Sequence, residues 1–191
     1  MTLRDDKKAL RQASIARRAG LDEAARPAAA RSLVETFLAE RPFALPRLVS
    51  GFWPIKDEID IRPLMAALAG AGCGLALPVV VGKRQPLLFR AWQPDEPLES
   101  GVFGTLQPAA GRPEVEPDAL LVPLLACDNE GWRLGYGGGF YDRTLAGLRA
   151  RKPVTAVGVA FDLQRVDAVP HGPDDQRLDW LLTDRRACAF V

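Results

Sequence analysis

The sequence predicts an α/β fold: a single Rossmann-like three-layer domain with a mostly parallel central sheet and an N-terminal pair of helices. Three observations carry that prediction. Short apolar runs rich in β-branched residues, of which Val154-Thr-Ala-Val-Gly-Val-Ala-Phe161 is the clearest, have the length and composition of buried strands. Segments with a helical apolar period alternate with them, and such alternation favours a parallel sheet covered by helices. The 191 residues are 48% hydrophobic, enough for one large core, so the chain reads as one domain over 1–191, with residues 1–40 as helices packed on an α/β core.

Taken in order, residues 4–19 read as a basic helix, with Lys7, Lys8, Arg11, Arg17 and Arg18 around Leu10 and Ile15. Lys7 and Arg11 are four apart and share a face, although a charge run is usually a solvated surface. Asp22 is a candidate cap for a second helix to about residue 40. Its apolar positions Ala29, Ala30, Leu33, Val34, Phe37 and Leu38 keep a helical period, and Pro42 and Pro46 end it. Residues 48–53 read as a buried strand. Asp60 can cap a helix with Pro63 in its first turn, running to about residue 71. Residues 74–81 form a second strand, in which Pro78 signals an irregular or edge position. Residues 87–92 form a third. Residues 93–118, rich in proline and glycine, read as loop with room for a short strand, and could shape a substrate cleft. Strands follow at 119–126, 154–161, 181–183 and 187–191, with a helix at 138–150.

Composition excludes several function classes. The 25 basic and 24 acidic residues leave a formal charge of +1, so no global field points to nucleic acid or an anionic membrane. The longest apolar run, 119–126, is far too short to span a bilayer, and the first eight residues hold no apolar signal core. Cys73, Cys127 and Cys188 are odd in number with no C-x-x-C spacing, which fits reduced thiols in a cytoplasmic protein. The single histidine, His171, argues against a histidine-rich metal centre and leaves little room for a Ser-His-Asp triad.

The chemistry concentrates in Arg133-Leu-Gly-Tyr-Gly-Gly-Gly-Phe-Tyr-Asp142-Arg143, where Gly135, Gly137, Gly138 and Gly139 fall within five positions. Successive N–H groups free of Cβ crowding can form a concave nest for phosphate, and a helix starting near Gly139 would add its dipole. Asp142 then stands where a magnesium-side carboxylate is wanted. Two familiar motifs are excluded. The dinucleotide fingerprint needs glycine where Phe140 stands, and the P-loop fails because Arg84 follows Gly82-Lys83 and Leu77 replaces its first glycine. The plain alternative is a glycine-rich strand-to-helix connection.

In open α/β sheets, ligands bind beyond the C-terminal strand ends. Three features fall there: Trp53-Pro-Ile-Lys-Asp-Glu58, the glycine loop, and the segment from Asp162 to Asp175. Each has a plainer reading. Trp53 could be core, Glu58 a first-turn helix acid near Asp60, and Asp174 and Asp175 loop acids.

Read together, these residues resemble the 5-formyltetrahydrofolate cyclo-ligase family, also called 5,10-methenyltetrahydrofolate synthetase. The resemblance runs through Lys7-Lys-Ala-Leu-Arg11, Phe52-Trp-Pro-Ile-Lys-Asp-Glu-Ile-Asp60, Gly131-Trp-Arg133 into the glycine loop, Val157-Gly-Val-Ala-Phe161, and Pro170…Asp175-x-x-x-Asp179…Thr183. It implies an ATP-dependent ring closure: ATP phosphorylates the formyl oxygen of 5-formyltetrahydrofolate, N10 attacks the formyl carbon, and phosphate departs. The implied ATP contacts are Lys7, Arg11, Arg133, Leu134, Gly135, Tyr136, Gly137, Gly138, Gly139, Phe140 and Tyr141. The implied folate contacts are Trp53, Glu58, Tyr136, Gly137, Gly138, Gly139 and Phe140. Arg133 and Asp142 are the implied catalytic pair, with Asp142 and Asp175 holding Mg2+. The expected partners are ATP and 5-formyltetrahydrofolate, including polyglutamylated forms; neither nucleic acid nor membrane is expected, and a monomer is favoured.

Two departures stand out. Some members carry basic residues inside the glycine loop, where this chain has Tyr136 and Gly138, so positive charge must come from Lys7, Arg11, Arg133 and magnesium. The family often has histidine before the late aspartate, where this chain has Asp174-Asp175; position favours Asp175. Two competing readings are a non-catalytic folate- or nucleotide-binding regulatory protein of the same fold, and a different ATP-dependent transferase.

Overall fold

The computed structural model describes residues 2–41 and 44–190. Helix α1 (Leu3–Ala19) starts at a capping box: the Thr2 hydroxyl accepts from the Asp5 N–H, and the Asp5 carboxylate accepts from the Thr2 N–H at 3.1 Å. Asp22 caps as expected, but it caps a 3-10 turn, Glu23–Ala25, that leads directly into α2 (Arg26–Glu40). Pro42, expected to end that helix, and Val191, expected to close the last strand, lie outside the described residues.

Strand β1 (Leu48–Ser50) is shorter than the expected 48–53. Phe52 and Trp53 leave the sheet for the cleft described below, and Pro54 has no N–H to offer a ladder. Helix α3 (Arg62–Gly70) follows, with Ile61 at its cap position. Asp60 stands one residue earlier and accepts from the Arg62 N–H at 3.0 Å. Then come β2 (Gly74–Val79) and β3 (Leu88–Trp92). Gly51 donates its N–H to the Ala76 carbonyl, so residues 76 and 78 face β1. β1 pairs no further than Ser50, so Pro78 sits where no β1 partner is lost.

The segment expected as loop, 93–118, contains a small hairpin of β4 (Leu98–Ser100) and β5 (Leu106–Pro108), joined through a 3-10 turn at Val102–Gly104. The expected strand at 119–126 is two strands, β6 (Ala119–Pro123) and β7 (Ala126–Cys127). Gln164 causes the break: its Nε2 donates to the carbonyls of Leu124 and Leu125 at 2.6 and 3.3 Å. β7 pairs instead with β8 (Arg133–Leu134), and Asp128 shapes the turn between them by accepting from the N–H groups of Glu130 and Trp132. Helix α4 (Phe140–Arg149), β9 (Thr155–Ala160), a 3-10 turn at Asp162–Gln164, β10 (Trp180–Thr183) and β11 (Ala187–Ala189) complete the chain.

Seven of the described strands form one sheet in the order β11-β10-β9-β6-β1-β2-β3. The five inner strands are parallel, and β3 and β11 are antiparallel edges. Side chains alternate across the pleat. Leu75, Leu77, Leu121, Val157 and Leu182 pack with Leu33 and Phe37 of α2 and Met65 and Leu68 of α3. Ala76, Leu120, Val122, Ala156 and Leu181 pack on the opposite face with Leu145 and Leu148 of α4. Both faces are therefore covered, which explains why the inner strands read as continuous apolar runs. The chain moves outward from β1 to β2 and β3, then returns to β6 on the other side of β1. The strand order thus reverses between β1 and β6, where a doubly wound sheet opens a crevice.

Candidate active site

At that crevice the structure holds a cleft of about 540 Å³, within the usual range for a small-molecule site. Lys7 and Arg11 of α1, Trp53 and Glu58 after β1, every residue from Arg133 to Asp142, and Asp175 all line it. These include every residue that the family resemblance implies for ATP, folate and magnesium; Asp174, the alternative to Asp175, is not among them. Of the three strand-end features, the third contributes only in part. Asp162 turns away, pairing with Arg186 at 3.0 Å and accepting from the Thr183 hydroxyl, while Asp175 reaches the cleft.

The glycine loop bends at Gly137 (φ 98°) and Gly139 (φ 65°), both left-handed, a region that β-carbons disfavour. Gly139 occupies the cap position of α4, and no side chain caps that helix. Its first-turn N–H groups are therefore left for solvent or an anion. Arg11 Nε donates to the Gly135 carbonyl at 2.9 Å, which pins α1 to the loop. A β-carbon on Gly137 would come within 3.3 Å of the Arg11 guanidinium. Arg143 closes the outer side by donating to the Gly138 carbonyl at 2.7 Å.

The charges are mostly matched. Lys7 Nζ lies 2.5 Å from Asp175 Oδ2, which also accepts from the Gly172 N–H. Buried Arg133 donates to Asp142 Oδ1 at 3.0 Å and to the Gln176 carbonyl; the Gln176 N–H donates to the same aspartate oxygen. Neither Asp142 Oδ2 nor Asp175 Oδ1 accepts a hydrogen bond from the described residues. Glu58 is not a helix acid: it precedes α3 and accepts from the Ile55 N–H at 3.0 Å. Burial pushes its carboxyl up to about 7, against a smaller opposing effect of that hydrogen bond. Burial also raises the phenols of Tyr141 and Tyr136, so both stay neutral, and the Tyr136 hydroxyl accepts from Arg18.

A family model described as the 5-formyltetrahydrofolate cyclo-ligase family matches residues 3–184. The chain belongs to that family. It is 36% identical to the 5-formyltetrahydrofolate cyclo-ligase of Haemophilus influenzae over 62% of this chain and 66% of that one, so the match spans just under two thirds of the relative. It is also 36% identical to the enzyme of that name from Escherichia coli K12, over 68% of this chain and 73% of the other. The solved structure of Aquifex aeolicus 5,10-methenyltetrahydrofolate synthetase superposes with a TM-score of 0.79 at 29% identity, covering 96% of this chain and 92% of that one. The Mycoplasma pneumoniae synthetase, at 22% identity and TM-score 0.75, shows the same fold over 94% of this chain and 99% of that one.

The 93–118 segment shapes the cyclo-ligase cleft as expected, and Lys56 and Arg18 join the site without a signal in the sequence. Phe103, Thr105 and Leu106 from the β4–β5 hairpin form part of the cleft wall, with the Phe103 ring 6.2 Å from that of Phe140. Trp53 packs edge-on against Trp92 at 6.1 Å, so it is both core and cleft wall. Lys56 stands over the Tyr136 ring at 5.5 Å. Arg18 belongs by sequence to the charge run of the first helix, yet it is buried and bonded to Asp57 and Tyr136. His171 stacks on Trp132 and stays outside the cleft.

Proposed function

We propose that this chain closes the folate ring of 5-formyltetrahydrofolate with ATP, forming 5,10-methenyltetrahydrofolate, ADP and phosphate. The observation that carries the reading is the contact of Arg11 with Gly135, which sets an α1 cation on the glycine loop opposite the Trp53 and Glu58 wall. One cleft thereby offers a phosphate cradle and a pterin-sized aromatic and acidic pocket side by side. In the reaction, the formyl oxygen bonds to the γ-phosphorus and ADP leaves. N10 then bonds to the formyl carbon, the carbon–oxygen bond breaks, phosphate departs, and N10 gives up its proton.

Such chemistry needs position and charge neutralisation more than a strong base. The loop N–H groups and the guanidinium groups of Arg11 and Arg133 supply donors to the phosphates, and Lys7 adds a further cation. Glu58 accepts from pterin N–H groups, and Trp53 walls the ring. No three His, Cys, Asp or Glu side chains among the described residues are arranged to hold a metal. Asp142 and Asp175 together fit magnesium, which commonly takes one or two carboxylates plus phosphate oxygens and water. When bound, magnesium would neutralise phosphate charge, held by the two aspartate oxygens that accept no hydrogen bond. The free cysteines fit a cytoplasmic enzyme, and residues 1–191 act as one domain. No helix among the described residues is long and apolar enough to cross a membrane.

The test is an absorbance assay for methenyltetrahydrofolate with purified protein, 5-formyltetrahydrofolate, ATP and magnesium. The expected signal requires both ATP and magnesium. Folate binding without turnover would instead support a regulatory protein, and absence of both binding and turnover would overturn the reading.

A further inference from the structure

The two cations of α1 that line the cleft, Lys7 and Arg11, belong to a longer polar stripe. Lys7, Arg11, Ser14 and Arg18 follow one another at spacings of four, three and four, which keeps them on one helix face. Ser14 and Arg18 are the buried residues of this helix, at 2% and 1% exposure, so α1 turns a polar face inward. Arg18 Nη2 donates to Asp57 Oδ1 at 2.7 Å and to the Tyr136 hydroxyl. One nitrogen thus joins three segments: α1 with Lys7 and Arg11, the turn carrying Trp53 and Glu58, and the glycine loop.

The rest of the group is poorly satisfied. Arg18 Nε and Nη1 and Ser14 Oγ have no hydrogen-bond partner among the described residues. A buried guanidinium with unpaired donors costs stability, and apolar side chains in place of a whole buried ion pair often do as well or better. The arrangement therefore provides fixed geometry among three segments at the expense of stability.

We infer that Arg18 is a positioning residue that couples the nucleotide half of the cleft to the pterin half. The inference rests on the cyclo-ligase reading. A nucleotide that orders α1 and the glycine loop also fixes Arg18, and through Asp57 it fixes the neighbouring Glu58. Folate acts in the reverse direction by the same link, because coupling between two binding sites is reciprocal.

The test is calorimetric titration of 5-formyltetrahydrofolate with and without a non-hydrolysable ATP analogue, and of the analogue with and without folate. In the parent each ligand should tighten the other on the order of tenfold, a usual size for coupling. In Arg18→Met both ligands should still bind, with the mutual effect reduced to about twofold or less, while thermal stability falls because Asp57 loses its partner. In steady state, the KM of Arg18→Met for each substrate should no longer depend on the concentration of the other. Arg18→Lys, which keeps charge without the fork, should restore little of the coupling. Should Arg18→Met not fold, Tyr136→Phe decides, since it removes a single hydrogen bond of the link: reduced coupling supports the inference, and parent-strength coupling overturns it. A parent without coupling, or a folded Arg18→Met that keeps it, overturns the inference as well. A parent that makes no methenyl product fails the cyclo-ligase reading itself, whereas turnover with coupling untouched in Arg18→Met fails this inference alone.

Discussion

Glu58→Gln should stabilise the protein and weaken its hold on folate, and pH separates the two effects. Burial raises the carboxyl from its ordinary 4.5 to about 7. The folded chain therefore holds this proton more tightly than the unfolded chain does. The penalty is absent below about pH 4.5, grows as pH rises toward 7, and is complete above it. At roughly 1.4 kcal/mol per pH unit it amounts to at most about 3 kcal/mol, since the cleft side of Glu58 still meets solvent. Glutamine keeps an oxygen for the Ile55 N–H and removes the titration. Urea unfolding of both proteins at about pH 4 and about pH 8 measures the difference. The variant should gain on the parent by up to about 3 kcal/mol over that range. Meanwhile, folate affinity in the parent should fall as pH drops below 7, because a protonated carboxyl cannot accept from both pterin donors. The variant should bind folate more weakly by about 2 kcal/mol, with a flatter pH profile. A stability difference that stays constant across pH would refute the reasoning that burial of charge sets this carboxyl.

Asp142→Asn should lower kcat on the order of a hundredfold while changing affinity for an ATP analogue by only a few-fold, because charge at the γ-phosphate matters most in the transition state. Single-turnover kinetics beside calorimetry separate the two, and equal losses in both would remove that role. Gly137→Val imposes a β-branched residue at φ 98° and places its Cβ within 3.3 Å of the Arg11 guanidinium. The expected result is a KM for ATP raised on the order of tenfold and a melting temperature lowered by several degrees. Unchanged ATP affinity in folded protein would take Gly137 out of the phosphate site.

What the sequence made legible was whatever a short stretch of chain determines. The inner strands were visible because burial on both faces leaves apolar runs such as 154–161. Lys7 and Arg11 were visible as a pair because helical spacing alone puts them on one face. Arg18 has the same spacing, four beyond Ser14, but a basic helix usually faces water. Only Asp57, 39 positions away, and Tyr136, 118 away, make burial of that guanidinium tolerable. The division of 119–126 into two strands likewise depends on Gln164, about 40 positions on. Only room for a short strand is legible where the β4–β5 hairpin lies, because each of its strands has three residues in a stretch where proline and glycine dominate the pattern. The family pattern points to Asp175, but no local signal tells which acids of the 162–175 segment reach the cleft: Arg186 draws Asp162 away, and Lys7 with the Gly172 N–H holds Asp175 there.

The pairing of charges in the cleft leads to a ranking of its cations. Lys7 is committed to Asp175, and Arg133 to Asp142, so an incoming phosphate must compete with a carboxylate for either. Arg11 makes no ion pair among the described residues; its recorded partner is the neutral Gly135 carbonyl, reached through Nε. Its remaining nitrogens lie beside Gly137, at the bend of the loop that is to receive the phosphates. An unneutralised guanidinium is the strongest attractor for phosphate in this set, with a charge-assisted bond worth about 1.5–3 kcal/mol. Arg11→Met should therefore weaken binding of an ATP analogue on the order of tenfold to a hundredfold without added metal. Lys7→Met should weaken it less, since removing the lysine also frees Asp175 and exchanges a matched pair for one unpaired acid. Titration of both variants at two ionic strengths checks the order, and the loss in Arg11→Met should shrink in higher salt. If Lys7→Met proves the more damaging of the two, the paired charges do not govern how this cleft meets phosphate.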